Sequence, residues 1–237
     1  MRTLKGSSSY LKNQVRKNLA KAILFFVLFV LILFVSLFGV LVTLRLSFLN
    51  EVGLLISLVS FGLSYYYLVQ YRRYSGGWQG EKQVSSLLKR TLSDDYLLIN
   101  DLYLGEGGDV DHVVLGPSGI FVLETKNWSG QIICNGDDWQ RPGRKGFKAS
   151  PSLQVKRNSA RIKRIIDTSG VFGSMGVLVE GIVVFTNSRA NLRVSNPTVL
   201  ILKLPQLANH IAIFKNQKPI AMQQREAAAE ELLKQRS

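Results

Sequence analysis

Residues 22–44 run from Ala22-Ile23-Leu24-Phe25-Phe26 to Leu41-Val42-Thr43-Leu44 without a single charge. About 20 residues of helix cross a bilayer's hydrocarbon core, so this run predicts a membrane-spanning helix. A second uncharged run begins at Val52, continues to about Val69, and carries Tyr65-Tyr66-Tyr67 and Tyr71 at its end. Aromatic rings gathered there match the belt found at membrane–water interfaces. A cleaved secretory signal competes for the first run. Its apolar length exceeds the ~7–15 residues of such a segment, no Ala-x-Ala-like site follows, and a second span comes directly after it. A core hairpin of a soluble protein fits less well, because both runs are apolar on every face. The spans are placed at about 22–44 and 52–71.

After residue 78 the pattern becomes that of a folded domain. Val84, Leu87, Leu88 and Leu92 form a helical stripe over Gln79–Leu92, and Tyr96–Asn100 reads as a short strand. Two β-branched and aromatic runs, 108–115 and 120–126, flank Gly116-Pro117-Ser118-Gly119 and predict a β-hairpin. Gln131–Cys134 is a further strand before the Gly136-Asp137-Asp138 turn, and 141–150 is a basic, Gly/Pro-containing loop. Ser150-Pro151 opens a helix to about Asp167, with proline in its first turn. Gly181–Thr186 and Val199–Leu202 are strands, and Leu204–Phe214 and Met222–Gln235 are helices. The expected architecture is α/β: a two-helix transmembrane hairpin, then a domain with a central mixed sheet flanked by helices. Its segments are a basic N-terminal stretch (1–21), the hairpin (22–71), a linker (72–77) and a globular domain (78–237).

Charge gives this arrangement an orientation. The chain of 237 residues carries a formal charge of +14. Arg2, Lys5, Lys12, Arg16, Lys17 and Lys21 precede the first span with no acid among them, and Arg72 and Arg73 follow the second. The loop between offers only Arg45 and Glu51. The positive-inside rule therefore places both termini and the globular domain in the cytoplasm, with a bacterial inner membrane as the expected location. The one cysteine, Cys134, has no partner for a disulfide or a metal site, which suits a reducing compartment. No Walker-type loop, Gly-x-Ser-x-Gly elbow or zinc-ligand spacing occurs.

The candidate chemistry lies in the hairpin. With Leu115 facing Ile120 across the turn, counting outward sets Asp111 opposite Glu124, and Lys126 projects from the same face as Glu124. Like charges directly across a ladder are destabilising, so the pair calls for a purpose. A divalent cation held by the two carboxylates, with the lysine beside it, supplies one. A cross-strand ion pair of Lys126 with Asp111 or Glu124, serving stability alone, is the simpler alternative. Glu81 stands three residues before Val84 and seven before Leu88, on the inward stripe of its helix, where an unpaired carboxylate is costly. A first-turn acid favoured by the helix dipole explains it equally well on position alone.

Gly80-Glu81, Asp111-His112-Val113, Gly116-Pro117-Ser118-Gly119, Glu124-Thr125-Lys126-Asn127, Gly130 and Trp139 together resemble the NERD (nuclease-related) domain over roughly residues 78–190. Ser150-Pro151-Ser152-Leu153-Gln154 is similar to that family's Pro-x-x-Gln helix start, with Ser150 where an Asn often stands. NERD domains are grouped with the PD-(D/E)xK nucleases, whose core is a mixed sheet flanked by helices. The resemblance implies Asp111 and Glu124 as ligands of Mg²⁺ or Mn²⁺, Lys126 as the catalytic lysine, Glu81 as an accessory acid and Gln154 as a helper. Val110 departs from the proline of the superfamily's nominal signature, as in many divergent members.

The chemistry suits these residue types on its own terms. Phosphodiester hydrolysis needs charge neutralised on the phosphoryl oxygens and a nucleophilic water, and Mg²⁺ on one or two carboxylates provides both. A lysine beside that water stabilises the developing negative charge. Between residues 141 and 164 there is no acid, while Arg141, Arg144, Lys145, Lys148, Lys156, Arg157, Arg161, Lys163 and Arg164 are all basic. Of these, Arg144, Lys145, Lys148, Lys156, Arg157, Arg161 and Arg164 are the candidate contacts to a nucleic-acid backbone. A solvated surface or anionic inner-leaflet lipid competes on charge alone, and the adjacent acidic site favours nucleic acid, DNA in preference to RNA. His112 alternates away from Asp111, His210 has no partner at ligand spacing, and Trp139 reads as a packing anchor. The expectation is a membrane-anchored, metal-dependent nuclease. A non-cutting nucleic-acid-binding or scaffold module of the same fold is the alternative.

Overall fold

A computed structural model describes residues 1–5, 10–43, 48–105, 109–144, 150–215 and 218–235. The chain divides into two compact units, one of Ser9–Trp78 and one formed by Met1–Ser8 together with Gln79–Ser237.

The first unit is a helical hairpin. Helix α1 spans Tyr10–Thr43, and α2 starts at Phe48 and runs to Thr91, its last turns belonging to the other unit. Both helices are long and apolar enough to cross a membrane. Small and polar groups make their contact. Ser64 donates to the Ala22 carbonyl (2.9 Å), Phe25 stacks on Tyr67 (5.6 Å), Phe29 meets Phe61 (5.2 Å), and a Cβ on Gly53 would collide with Ser36 Oγ. Ser36, Ser57, Ser60 and Ser64 are buried, whereas Phe34, Val35, Leu41, Leu55 and Leu58 point outward. That inverts the pattern of a water-soluble protein and matches helix pairs packed in lipid.

Residues 72–77, expected as a linker, are helical. The Gly76-Gly77 pair lowers helix propensity by about 1 kcal/mol per glycine. Contacts within the hairpin unit offset it: Tyr74 packs edge-on to Tyr10 (6.4 Å), and Gly77 lies close against Leu11.

The second unit is built on a six-stranded mixed sheet of order β1-β2-β3-β4-β7-β9. Its strands are β1 (Arg2–Lys5), β2 (Leu97–Tyr103), β3 (Asp109–Gly116), β4 (Gly119–Lys126), β7 (Val179–Phe185) and β9 (Leu200–Lys203). A small sheet of order β6-β5-β8 is added by β5 (Gly130–Asn135), β6 (Asp138–Gln140) and β8 (Ala190–Ser195). The helices are the end of α2, α3 (Pro151–Ser169), α4 (Leu204–Ile213) and α5 (Met222–Lys234). Val84, Leu88 and Leu92 of α2 and Leu207 and Ile211 of α4 pack with Leu98, Val114, Phe121 and Leu123 on one face of the main sheet. Val155, Ile162 and Ile166 of α3 and Ala228, Ala229 and Leu232 of α5 pack with Leu97, Val113, Leu115, Val122 and Phe185 on the other. The mixed sheet flanked by helices is as expected from the sequence.

Three strands lay outside that expectation: β1, β8 and the short β6, which pairs with β5 just past the expected turn. Arg2–Lys5, assigned to a basic segment, pairs parallel with Leu97–Asn100. The sheet unit thus begins before the hairpin, not at residue 78. Four residues with a single inward Leu4 carry no periodicity to read, and their partner lies more than ninety positions away. Strand β8 alternates Asn191, Arg193 and Ser195 with apolar residues and, among the described residues, pairs only with β5.

Gly80 sets how closely α2 meets the sheet. A Cβ there would lie 2.8 Å from Thr186 Oγ1 and 3.1 Å from Asn127 Cβ. Gly80→Ala would by helix propensity alone stabilise by about 1 kcal/mol. The overlap outweighs it, and we expect a net loss of about 1–3 kcal/mol in denaturant unfolding of the sheet unit. Adding Thr186→Ala should recover part of that loss.

Candidate active site

The β3–β4 ladder pairs Leu115 with Ile120, Val113 with Val122 and His112 with Leu123, the register read from the sequence, around a two-residue Pro117-Ser118 turn. The ladder stops one step short of Asp111 and Glu124. The Thr125 N–H that faces β3 instead donates to Asp111 Oδ2 (2.6 Å), so the aspartate side chain ends the strand pairing. Glu124 and Lys126 project from the same face, and Lys126 Nζ donates to Glu124 Oε1 at 2.5 Å. Glu124 is 2% exposed, and its other oxygen, Oε2, is buried with no hydrogen-bond partner.

Helix α3 brings the next residue. Ser150 caps it by accepting the Leu153 N–H (3.3 Å) while donating to the Asp137 carbonyl (2.8 Å), and Pro151 occupies the first turn. This fixed start sets Gln154 Oε1 3.3 Å from Lys126 Nζ. A Cβ on Gly181 of β7 would lie 2.7 Å from Ser159 Oγ, so glycine there allows α3 its close approach. Trp139 donates to Ser152 Oγ (2.7 Å) and stacks on Phe185, the packing role expected of it. Trp128 was not singled out in the sequence. Its ring lies 5.7 Å from the Lys126 ammonium and 4.9 Å from the Arg141 guanidinium, a geometry for cation–π attraction.

From the opposite side of the sheet comes Glu81 on α2. Its neighbour is Asp101 of β2, also missed in the sequence. Burial first, then the charges of Asp111, Asp101, Glu124 and Asp109, push Glu81 up to about 9. Burial, Asp111 and Asp109 push Asp101 up to about 6. Burial and the Asp111 charge push Glu124 up to about 8 against the pull of Lys126. Burial also raises Asp111, opposed by Lys126 and the Thr125 N–H. Desolvation draws the Lys126 ammonium down, but Glu124 and Asp111 more than offset it and leave it above the ordinary lysine value. Lys126 is therefore a fixed positive charge, suited to stabilising an anion rather than to accepting a proton. His112 faces away as expected; its Nδ1 bonds Asn100 Oδ1 (2.8 Å), and burial lowers it to about 3, so it is neutral.

The five candidate residues thus gather at one end of β3 and β4. Among the described residues, no three His, Cys, Asp or Glu side chains already sit in metal-ligand geometry. The donors nonetheless suit Mg²⁺, which is held by one or two carboxylates and keeps several waters. The unpartnered Glu124 Oε2 is the atom such a cation would satisfy.

The basic residues separate into two groups. Arg144, Arg157 and Arg164 are exposed, and the Arg157 charge acts on Glu124. Lys156 is engaged by Asp137 (2.7 Å), and Arg161 turns inward to donate to the Leu104 carbonyl. Helical spacing showed which positions share a face, but not which of them find partners in other elements. Lys145 and Lys148 lie outside the described residues.

The family model of the nuclease-related domain, NERD, matches residues 76–186, a stretch containing every residue of this site. The match gives the sheet unit a nuclease-related fold. An uncharacterized protein of Bacillus anthracis is 33% identical over 60 residues, covering 24% of this chain and 28% of that protein. No solved structure matches the chain.

These protonation shifts have a measurable sign. Glu81 and Glu124 rise from 4.5 to about 9 and about 8 on folding, so between those limits the folded state binds more protons than the unfolded one. In chelator, the melting temperature of the sheet unit should fall as pH rises from about 4.5 to 9, and Glu124→Gln should flatten that slope. Mg²⁺ or Mn²⁺ should raise the melting temperature more at pH 8.5 than at pH 6, since a bound cation replaces those protons.

Proposed function

We propose that this chain is a membrane-anchored, Mg²⁺- or Mn²⁺-dependent nuclease that hydrolyses phosphodiester bonds of nucleic acid, DNA in preference to RNA. The observation that carries this reading is the Glu124 carboxylate, buried with one oxygen on Lys126 and the other without a partner, next to Asp111. A carboxylate in that state is costly unless a cation completes it. The nuclease-related fold supports this reaction class.

Asp111 and Glu124 would hold the metal, which polarises a phosphoryl oxygen and lowers the pKa of a bound water. Lys126 is held by Glu124 and by Gln154 Oε1, and its charge would stabilise the negative charge developing on the phosphoryl group. Glu81, which holds a proton up to about pH 9 before a cation arrives, would accept charge or a hydrogen bond at the opposite edge. Arg144, Arg157 and Arg164 are exposed and would bind flanking phosphates.

The anchoring reading rests on the outward-facing apolar side chains of the hairpin. The pairing of β1 with β2 supports a position on one side of the membrane for both ends of that hairpin, because one sheet contains the chain before α1 and after α2, and the flanking basic residues favour the cytoplasmic side. The alternative, a binding module without cleavage, draws on the ion pair Lys126 already makes with Glu124.

Full-length protein in detergent, supplied with plasmid or RNA and Mn²⁺, separates the two. We expect cleavage that EDTA abolishes and that Lys126→Met lowers by about 10²–10³-fold. Asp111→Asn should abolish it while leaving nucleic-acid binding intact. Binding without cleavage at any divalent metal would establish the module instead.

A further inference from the structure

Two cations share one aromatic ring at the edge of the candidate site. The Lys126 ammonium lies 5.7 Å from the centroid of Trp128, and the Arg141 guanidinium lies 4.9 Å from it. They are therefore no farther apart than the sum of those distances. The ring is itself fixed, because it packs edge-on to Trp139 of β6 (6.5 Å) and to Phe185 of β7 (6.0 Å), one in each sheet. Arg141 owes its place to local structure. Gln140 closes β6 against Ile133, and Arg141-Pro142-Gly143-Arg144 then forms a turn in which the Arg144 N–H donates to the Arg141 carbonyl (2.9 Å). Pro142 in the second place and Gly143 at φ 83 in the third fit a type II turn. The Arg141 side chain is half-buried, with Nη2 donating to the Ser129 carbonyl (3.1 Å) and the guanidinium over the ring. A cation ordered before its ligand arrives loses less freedom on binding, and the guanidinium fork matches a phosphate.

We propose that Arg141 binds a backbone phosphate flanking the scissile one, and that Trp128 is the positioning residue that sets its place beside Lys126. This inference rests on the nuclease reading, which supplies nucleic acid as the ligand and Lys126 as the group at the cut. Arg144, Arg157 and Arg164 are exposed, and each must lose side-chain freedom on meeting a phosphate. Arg141 has already lost much of it on the ring and the Ser129 carbonyl. One phosphate neutralised by one guanidinium sets the size of the expected salt effect, because each such contact releases counterions. An ammonium at 141 keeps that charge but lacks the fork. A leucine at 128 keeps apolar volume without a ring face, and a phenylalanine keeps the face.

Full-length protein in detergent is titrated with a labelled DNA duplex in EDTA at several salt concentrations, and assayed for cleavage in Mn²⁺. Arg141→Gln should weaken binding by about threefold or more and lower the slope of log affinity against log salt by about 0.9, the value of one duplex phosphate. Arg141→Lys should keep the wild-type slope. Trp128→Leu should weaken binding by about threefold or more, and Trp128→Phe by less than about twofold. In the Arg141→Gln background, Trp128→Leu should cost less than about twofold further. An unchanged slope in Arg141→Gln would overturn the phosphate contact. Equal losses from Trp128→Leu with and without Arg141 would overturn the positioning role. Either result, with wild type cleaving, leaves the nuclease reading intact. The expected binding pattern without cleavage at any divalent metal supports the contact and overturns the nuclease reading, and a wild-type protein that binds no DNA overturns both.

Discussion

Burying a carboxylate in the middle of a sheet is costly, and Glu124 is placed where water barely reaches it. Lys126 compensates one oxygen, and much of the surrounding structure serves to keep that lysine in place. Gln154 reaches it from a helix whose start is fixed by Ser150 and Pro151, and Trp128 lies within cation–π range of it. Asp111 faces the same problem and meets it differently, by taking the Thr125 N–H and ending the strand ladder. More carboxyl groups than positive charges converge there. The proposed cation would offset that excess, which an ordinary ion pair does not carry.

The features legible in the sequence were those decided by local periodicity. The turn at Gly116–Gly119 fixed a register, and the register put Asp111, Glu124 and Lys126 together before any coordinates. Glu81 was legible because a carboxylate on an apolar helical stripe is anomalous. Asp101 was not, since alternation assigns each strand residue a face and cannot show where a residue takes the left-handed conformation. The polar Asn100-Asp101 pair inside an apolar strand was the available signal. Asn100 proved to be the partner of His112 and Asp101 a neighbour of Glu81. The partners of Arg161 and Lys156 were illegible for a related reason. A helical wheel identifies the residues on one face, whereas the Leu104 carbonyl and the Asp137 carboxylate that engage these two come from distant segments.

The hairpin shows the same division between local and non-local information. Its apolar length was evident in the sequence, but the serines that line its contact were submerged in the hydrophobic runs. Ser36 and Gly53 on one level and Ala22 and Ser64 on another let the two backbones approach closely. Phe34, Val35, Leu41, Leu55 and Leu58 are left on the outside. The glycines at 76 and 77 looked like a break and are helical, because packing within the hairpin outweighs their local preference.

Strand β1 has a consequence for how this protein is made. A ribosome releases Arg2–Lys5 first and their partner Leu97–Asn100 only after both long helices have been synthesised. The edge of the sheet therefore stays open until both long helices have been made, and its completion is a late, long-range event with a correspondingly slow loop closure. Until then β2 presents an unprotected edge capable of pairing with other chains. Expression of the globular portion alone makes that transient vulnerability permanent, so its tendency to aggregate would reflect a missing strand rather than an unstable core.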